Sequence, residues 1–228
     1  MTRWHTTQRD DHERAWLVAT TVGNQPRAFV EESLRELRAL ADTAQAQVLG
    51  ETLCRLRTIQ PAMYIGCGKA EEIAAAAKQA GANLIIFDDD LSPAQGRALE
   101  EALGIRVVDR TQLILDIFAQ RALTLEGRLQ IELAQLHYAL PRLRGLWTHL
   151  ERQQGGIGLT GPGEKQLELD RRRIEQRITR LRGQLQAVRN RRAELRRGRR
   201  RHGWSLVTLV GYTNAGKSTL MNRLTDAQ

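Results

Sequence analysis

LIIFDDDLSPAQGRALEEALGIRVV, running from Leu84 to Val108, decides the fold. Its first four residues, Leu84 to Phe87, form an apolar run of strand length that ends in Asp88-Asp89-Asp90. Ser92, Pro93 and Gln95 then combine an N-cap, a proline at the first helical position and a capping-box glutamine. Gly104 closes that helix, and Ile105 to Val108 reads as the next strand. A strand, a capped helix and a second strand in so short a span predict one unit of a parallel sheet with its crossover.

The same alternation extends outwards. Ala15 to Val22 reads as a buried strand, and Phe29, Leu34, Leu37 and Leu40 fall at helical spacing. Gln47 to Ile59 is a second extended stretch and Ala62 to Ile65 a short third one. The alanine-rich run Glu71 to Ala80 predicts a helix stopped by Gly81, and Gln112 to Ala119 predicts another after Val108. Residues 1–120 are therefore expected to form an N-terminal layered α/β domain with a mainly parallel sheet. Two features in it have two readings each. Ile65 to Lys69, IGCGK, is either a phosphate-binding strand-to-helix turn or a tight turn that needs glycine. Asp88 to Asp90 is either a set of hard oxygens for Mg²⁺ or a solvated strand end beside a helix N-terminus.

Charge separates this domain from the rest of the chain. The chain has 228 residues and a formal net charge of +9, with 13 Lys+Arg against 17 Asp+Glu before residue 121 and 22 against 9 from there on. A basic field confined to one part of a chain favours a polyanion, nucleic acid first. No run approaches the ~20 apolar residues a membrane-spanning helix needs, and the N-terminus lacks the apolar core of a secretory signal. Cys54 and Cys67 match neither a disulfide framework nor a zinc spacing, which fits a cytoplasmic protein with two structural thiols.

Residues 121–202 carry two leucine-rich seams. Leu129, Leu133, Leu136, Leu140, Leu143, Trp147 and Leu150 recur in steps of four and three, and so do Leu167, Ile174, Ile178, Leu181, Leu185, Val188 and Leu195. They predict an antiparallel helical hairpin with arms of roughly 40 Å at about 1.5 Å per residue, kinked at Pro141. Between the seams, residues 152–163 hold Gly155, Gly156, Gly158, Gly161 and Gly163, more glycine and more length than a helix–helix turn requires. This tip reads as a segment that becomes ordered on a partner. Arg152, Lys165, Arg171, Arg172, Arg173 and Arg177 flank it, and further arginines continue to Arg201 with few acids among them. Phosphate contact is the expectation, so the tip glycines and these flanking cations are the candidate RNA-binding residues. The alternative is a charged coiled-coil surface that pairs between chains.

Past Gly203, Leu206 to Val210 reads as a buried strand running into Gly211-Tyr212-Thr213-Asn214-Ala215-Gly216-Lys217-Ser218, a full GxxxxGK[ST] match, with Thr219 to Leu224 opening a helix. Strand, loop and helix in that order make the phosphate-loop reading specific. Its amides would cradle phosphates, Lys217 would reach the β and γ oxygens, and the Ser218 hydroxyl would ligate Mg²⁺. The sequence ends at Gln228, one helix into such a domain. Residues 203–228 are therefore expected to be the truncated start of a nucleotide domain, binding without the remaining parts needed for hydrolysis.

RTQLILDIFAQRALTLEGRLQIELAQLHYALPRLRG, GGIGLTGPGEKQLELDRRRIEQRI and LVGYTNAGKSTLMNRLT, in that order and preceded by YIGCGKAEEI, closely resemble the HflX family of ribosome-associated GTPases. The resemblance implies an α/β domain, a helical middle segment and a P-loop G domain. It further implies action on the large ribosomal subunit and its rRNA, splitting or rescuing ribosomes under stress; the chain itself is expected to be a monomer. It implies GTP and Mg²⁺ as ligands of Gly211, Tyr212, Thr213, Asn214, Ala215, Gly216, Lys217, Ser218 and Thr219. Guanine preference comes from the resemblance alone. One departure is Thr160, where the family more often has arginine before Gly161-Pro162-Gly163. A catalytically silent rRNA-binding fragment and a coiled-coil assembly module stay open beside this reading.

Overall fold

The computed structural model describes residues 13–23, 27–146, 162–202, 207–212 and 215–226. Strands β1 (Arg14–Val22), β2 (Gln47–Leu56), β3 (Leu84–Phe87) and β4 (Arg106–Asp109) alternate with helices α1 (Arg27–Thr43), α2 (Cys67–Gln79), α3 (Pro93–Leu103) and α4 (Arg110–Arg121). They form one sheet in the order β2-β1-β3-β4, and every pairing in it is parallel. Successive side chains on a strand leave opposite faces, and here both faces are apolar. Leu17, Ile86 and Val108 pack with Leu34 and Leu37 of α1 and Leu113 and Ile117 of α4. Val18, Ile85, Phe87 and Val107 pack on the other side with Ile73 of α2 and Leu99 and Leu103 of α3. Hence the uninterrupted apolar runs in the sequence.

The local signals around α3 are realised as expected. Ser92 accepts from the Gln95 amide at 3.2 Å, while the Gln95 side chain accepts from the Ser92 amide at 3.0 Å. Gly104 ends the helix in the left-handed region at φ 63°. A similar economy joins β4 to α4 with no intervening loop, because Asp109 ends the strand and accepts from the Gln112 amide at 2.9 Å.

Residues 62–65 do not form the expected third strand. They make a turn closed by Gln60 and Tyr64, whose backbones exchange hydrogen bonds of 3.0 and 2.9 Å. Tyr64 sits at φ 69°, a left-handed conformation that no strand can continue through. Across β1 and β2, Gly50 makes room for the indole of Trp16, whose Nε1 donates to Thr52 Oγ1 at 2.8 Å. A Cβ on Gly50 would lie 2.3 Å from that ring. Gly50→Ala is therefore expected to cost about 1–3 kcal/mol, read as a lower urea midpoint.

Helices α5 (Leu125–Leu146), α6 (Pro162–Arg201) and α7 (Lys217–Thr225) complete the described elements. The chain falls into two compact units, one up to Leu185 and one from Gln186 onward. No helix among the described residues is long and apolar enough to cross a membrane.

Candidate nucleotide loop and arginine-rich helix

In the first unit α5 runs back along α4 and is fastened to the sheet by one cluster. Arg142 Nη2 donates to Asp109 Oδ2 at 2.9 Å and to the Leu91 carbonyl at 2.8 Å. Its guanidinium carbon lies 3.3 Å from the centre of the Tyr138 ring. Asp109 is only 2 % exposed at its side chain, yet it also accepts from the Leu91 amide and caps α4. Burial, then the hydrogen bond and charge of Asp109, pushes the Tyr138 phenol well above its ordinary range. Pro141 lies inside α5, which continues through it to Leu146. None of this cluster is among the candidate residues read from the sequence. Its one legible part is the Asp109-x-x-Gln112 cap.

The carboxyl ends of β1 and β3 form the crevice where open α/β sheets commonly take ligands. Here it is filled by the protein's own side chains. Asp88 accepts from Ser33 and from Arg110 Nη1 at 2.8 Å, and Arg110 also reaches Glu36 at 2.6 Å. Thr20 Oγ1 donates to Asp89 at 2.7 Å, and Thr111 donates to Asp90. Among the described residues no group of three His, Cys, Asp or Glu could hold a metal ion. Burial raises the Asp89 pKa, aided by the charges of Asp88 and Asp90 and opposed by bonds from Thr20 and Tyr64. Burial also lifts Tyr64 to about 12.

Because the folded pKa of Asp89 lies above its unfolded value, its ionised form costs stability. Stability is then fullest below the ordinary aspartate range, about 4, and is lost as pH rises through the folded value. Asp89→Asn is expected to remove that slope from urea midpoints measured from about pH 4 upward.

IGCGK begins α2. Gly66 is its N-cap without a side-chain cap, and Lys69 pairs with Glu72 of the same helix. A cleft of about 660 Å³ beside it is bordered by Arg55, Arg57, Thr58, Gln60, Gly66 and Lys69. Cys54 is buried, Cys67 is exposed and both are free.

The helical seams are partly realised. Leu129, Ile174, Ile178, Leu181 and Leu185 are buried, whereas Leu195 is 57 % exposed and so belongs to no packed seam. Across α5 and α6, Arg177 Nε donates to Glu132 at 2.7 Å, and Arg182 Nη2 lies 3.2 Å from His137 Nε2. Residues 147–161 lie outside the described residues, and with them Trp147, Leu150 and the tip candidates Arg152, Gly155, Gly156, Gly158 and Gly161. Because α6 starts at Pro162, Gly163 and Lys165 stand in its first turn and not in a loop reaching residue 163.

Among the described residues, the arginines that follow the tip in α6 are paired within the protein. Arg171 pairs with Glu175 at 2.8 Å, Arg172 with Glu168 at 3.0 Å, Arg173 with Asp170 at 3.0 Å and Arg177 with Glu132.

The second unit holds the P-loop candidates. α7 begins at Lys217 behind Gly216, which takes φ 77° and leaves the first amides of the helix facing the loop. The Lys217 ammonium turns back onto its own loop, donating to the Gly211 carbonyl at 2.8 Å and to the Tyr212 carbonyl. Ala215 N donates to the Tyr212 carbonyl at 3.3 Å, closing the turn. Ser218 and Thr219 stand in the first turn of α7, while Thr213 and Asn214 lie outside the described residues. Residues 207–210 do not form the expected buried strand. Val207 is 84 % and Val210 90 % exposed, and no described strand offers their backbone a ladder.

A parallel α/β domain, a long arginine-rich helix and a glycine loop with its lysine at a helix N-terminus together define a P-loop protein with an added α/β and helical module. Family models match it in the same order: GTP-binding GTPase N-terminal at residues 31–119, GTP-binding GTPase Middle Region at 121–199 and 50S ribosome-binding GTPase at 206–228. The GTPase HflX of Alkalihalophilus pseudofirmus is 48 % identical over 217 residues, which cover 95 % of this chain and 51 % of that protein. The GTPase HflX of Escherichia coli is 51 % identical over 197 residues, 86 % of this chain and 46 % of that protein. The chain belongs to the HflX family.

It spans about half the length of the curated relatives it matches. Its fold is also that of solved structures. A GTP-binding protein from the hyperthermophilic archaeon Sulfolobus solfataricus in complex with GDP gives a TM-score of 0.53 at 24 % identity over 94 % of this chain and 53 % of that one. An SsGBP and GDP complex gives 0.56 at 22 % identity over 94 % and 56 %.

Proposed function

We propose that this chain binds guanine nucleotide through Gly211 to Thr219 and docks on the large ribosomal subunit through the cations of its middle segment. In this reading it serves the splitting or rescue of ribosomes under stress. The observation that carries the nucleotide half is the Lys217 ammonium held at the mouth of its own loop by two carbonyls. A phosphate oxygen is a stronger acceptor than either, so the same ammonium turns outward onto a nucleotide with little rearrangement. The donor set suits Mg²⁺ in part: the Ser218 hydroxyl beside the phosphate position would supply one oxygen, with phosphate oxygens and water among the other ligands. Bound there, Mg²⁺ would neutralise charge on the phosphate oxygens.

The ribosomal half rests on family membership, on a match described as a 50S ribosome-binding GTPase and on the basic charge from residue 121 onward. The three-part organisation, residues 1–120, 121–202 and 203–228, belongs to the same reading. Calorimetric titration of the chain with GDP and with ADP tests the nucleotide half. Binding of GDP that requires Mg²⁺ and exceeds that of ADP supports it. No heat with either nucleotide would contradict it.

A further inference from the structure

Charge on α6 is segregated by pairing, not by composition. Before residue 178 each described arginine of the helix, Arg171, Arg172, Arg173 and Arg177, is held by a carboxylate. Towards the other end Arg192 still has a partner, but other arginines do not. Arg189, Arg196, Arg197 and Arg199 are exposed and have no ion-pair or hydrogen-bond partner among the described residues. From Gln186 to His202 the only carboxylate in the sequence is Glu194. Those four arginines fall within about half of the helix circumference and along about 15 Å of its axis.

Holding several unpaired guanidinium groups on one helix face is unfavourable through mutual repulsion, and helix pairs at i,i+4 ordinarily relieve it. Arginine forks match phosphate oxygens two at a time, and a duplex brings a row of such oxygens at close spacing. We infer that the face carrying Arg189, Arg196, Arg197 and Arg199 is a docking surface for the phosphate backbone of duplex RNA, and that Arg171, Arg172, Arg173 and Arg177, though equal in number, are not. The inference rests on the proposed ribosomal reading and narrows it. It moves the electrostatic share of RNA affinity away from the tip, to the last turns of α6.

The test replaces each quartet with glutamine, which has nearly the helix propensity of arginine, and confirms helicity by circular dichroism. One variant carries the changes at Arg189, Arg196, Arg197 and Arg199; the other carries them at Arg171, Arg172, Arg173 and Arg177. Both remove the same formal charge, so a difference between them reports direct phosphate binding and not net charge. Fluorescence anisotropy of a labelled RNA duplex is measured over a salt series. For every phosphate that the variant can no longer neutralise, the slope of log K against log salt should flatten by about 0.7–0.9. The first variant is expected to flatten it by about 3 and the second by less than about 1. Equal effects, or a larger effect from the second variant, would overturn the inference and leave the ribosomal reading standing. Absence of salt-sensitive binding by the unaltered chain would sink both.

Discussion

Arg142→Ala is expected to destabilise the first unit by about 3 kcal/mol, seen as a lower urea midpoint by circular dichroism. The carboxylate it leaves behind, Asp109, is almost wholly buried and retains neutral donors: the amides of Leu91 and Gln112 and the Tyr138 hydroxyl. Losing one partner of a buried pair costs more than forming the pair yields, because the remaining charge stays out of water. The guanidinium also covers the Tyr138 ring, an interaction worth about 1–2 kcal/mol in a partly buried setting. Arg142→Lys should recover little, since one ammonium cannot serve a carboxylate, a carbonyl and a ring face together. Arg38→Ala supplies the contrast. Its pair with Glu51 is about half exposed on both sides, and the change should cost less than about 1 kcal/mol. If the two substitutions cost the same, Arg142 does not fasten α5 to the sheet.

Lys217→Ala is expected to weaken GDP binding about 30- to 100-fold in the calorimetric titration. One charge-assisted bond to a phosphate is worth about 2–3 kcal/mol, and each 1.4 kcal/mol is about tenfold in affinity. The lysine also bonds the Gly211 and Tyr212 carbonyls, so its removal loosens the loop as well as deleting a charge. Unchanged GDP affinity in this variant would mean that any nucleotide bound lies elsewhere.

The legible part of the sequence was local. Ser92, Gln95 and Gly104 fix the ends of α3 through bonds that span three or four residues, and the apolar runs of β3 and β4 admit little besides strands buried on both faces. The loop Gly211 to Ser218 is legible for the same reason, since its spacing is its chemistry. Pairings across long separations were not. Arg142 meets Asp109 over 33 residues, and nothing near either one names the other. Tyr64 reads as strand because β-propensity favours tyrosine, whereas burial of its ring beside Asp89 holds it in a left-handed turn. Leu195 keeps the beat of the seam without a partner to bury it. Periodicity tells which face a residue shares, and only packing tells whether that face is covered. The arginines of α6 behave in the same way, because composition counts them alike and pairing divides them.

Co-sedimentation of the 228-residue chain with purified large ribosomal subunits, with GTP and Mg²⁺ present, tests the ribosomal reading most directly. The chain is predicted to pellet with the subunits at low salt and to return to the supernatant as salt is raised, as binding through several phosphate contacts requires. A chain that stays in the supernatant at low salt would contradict the account.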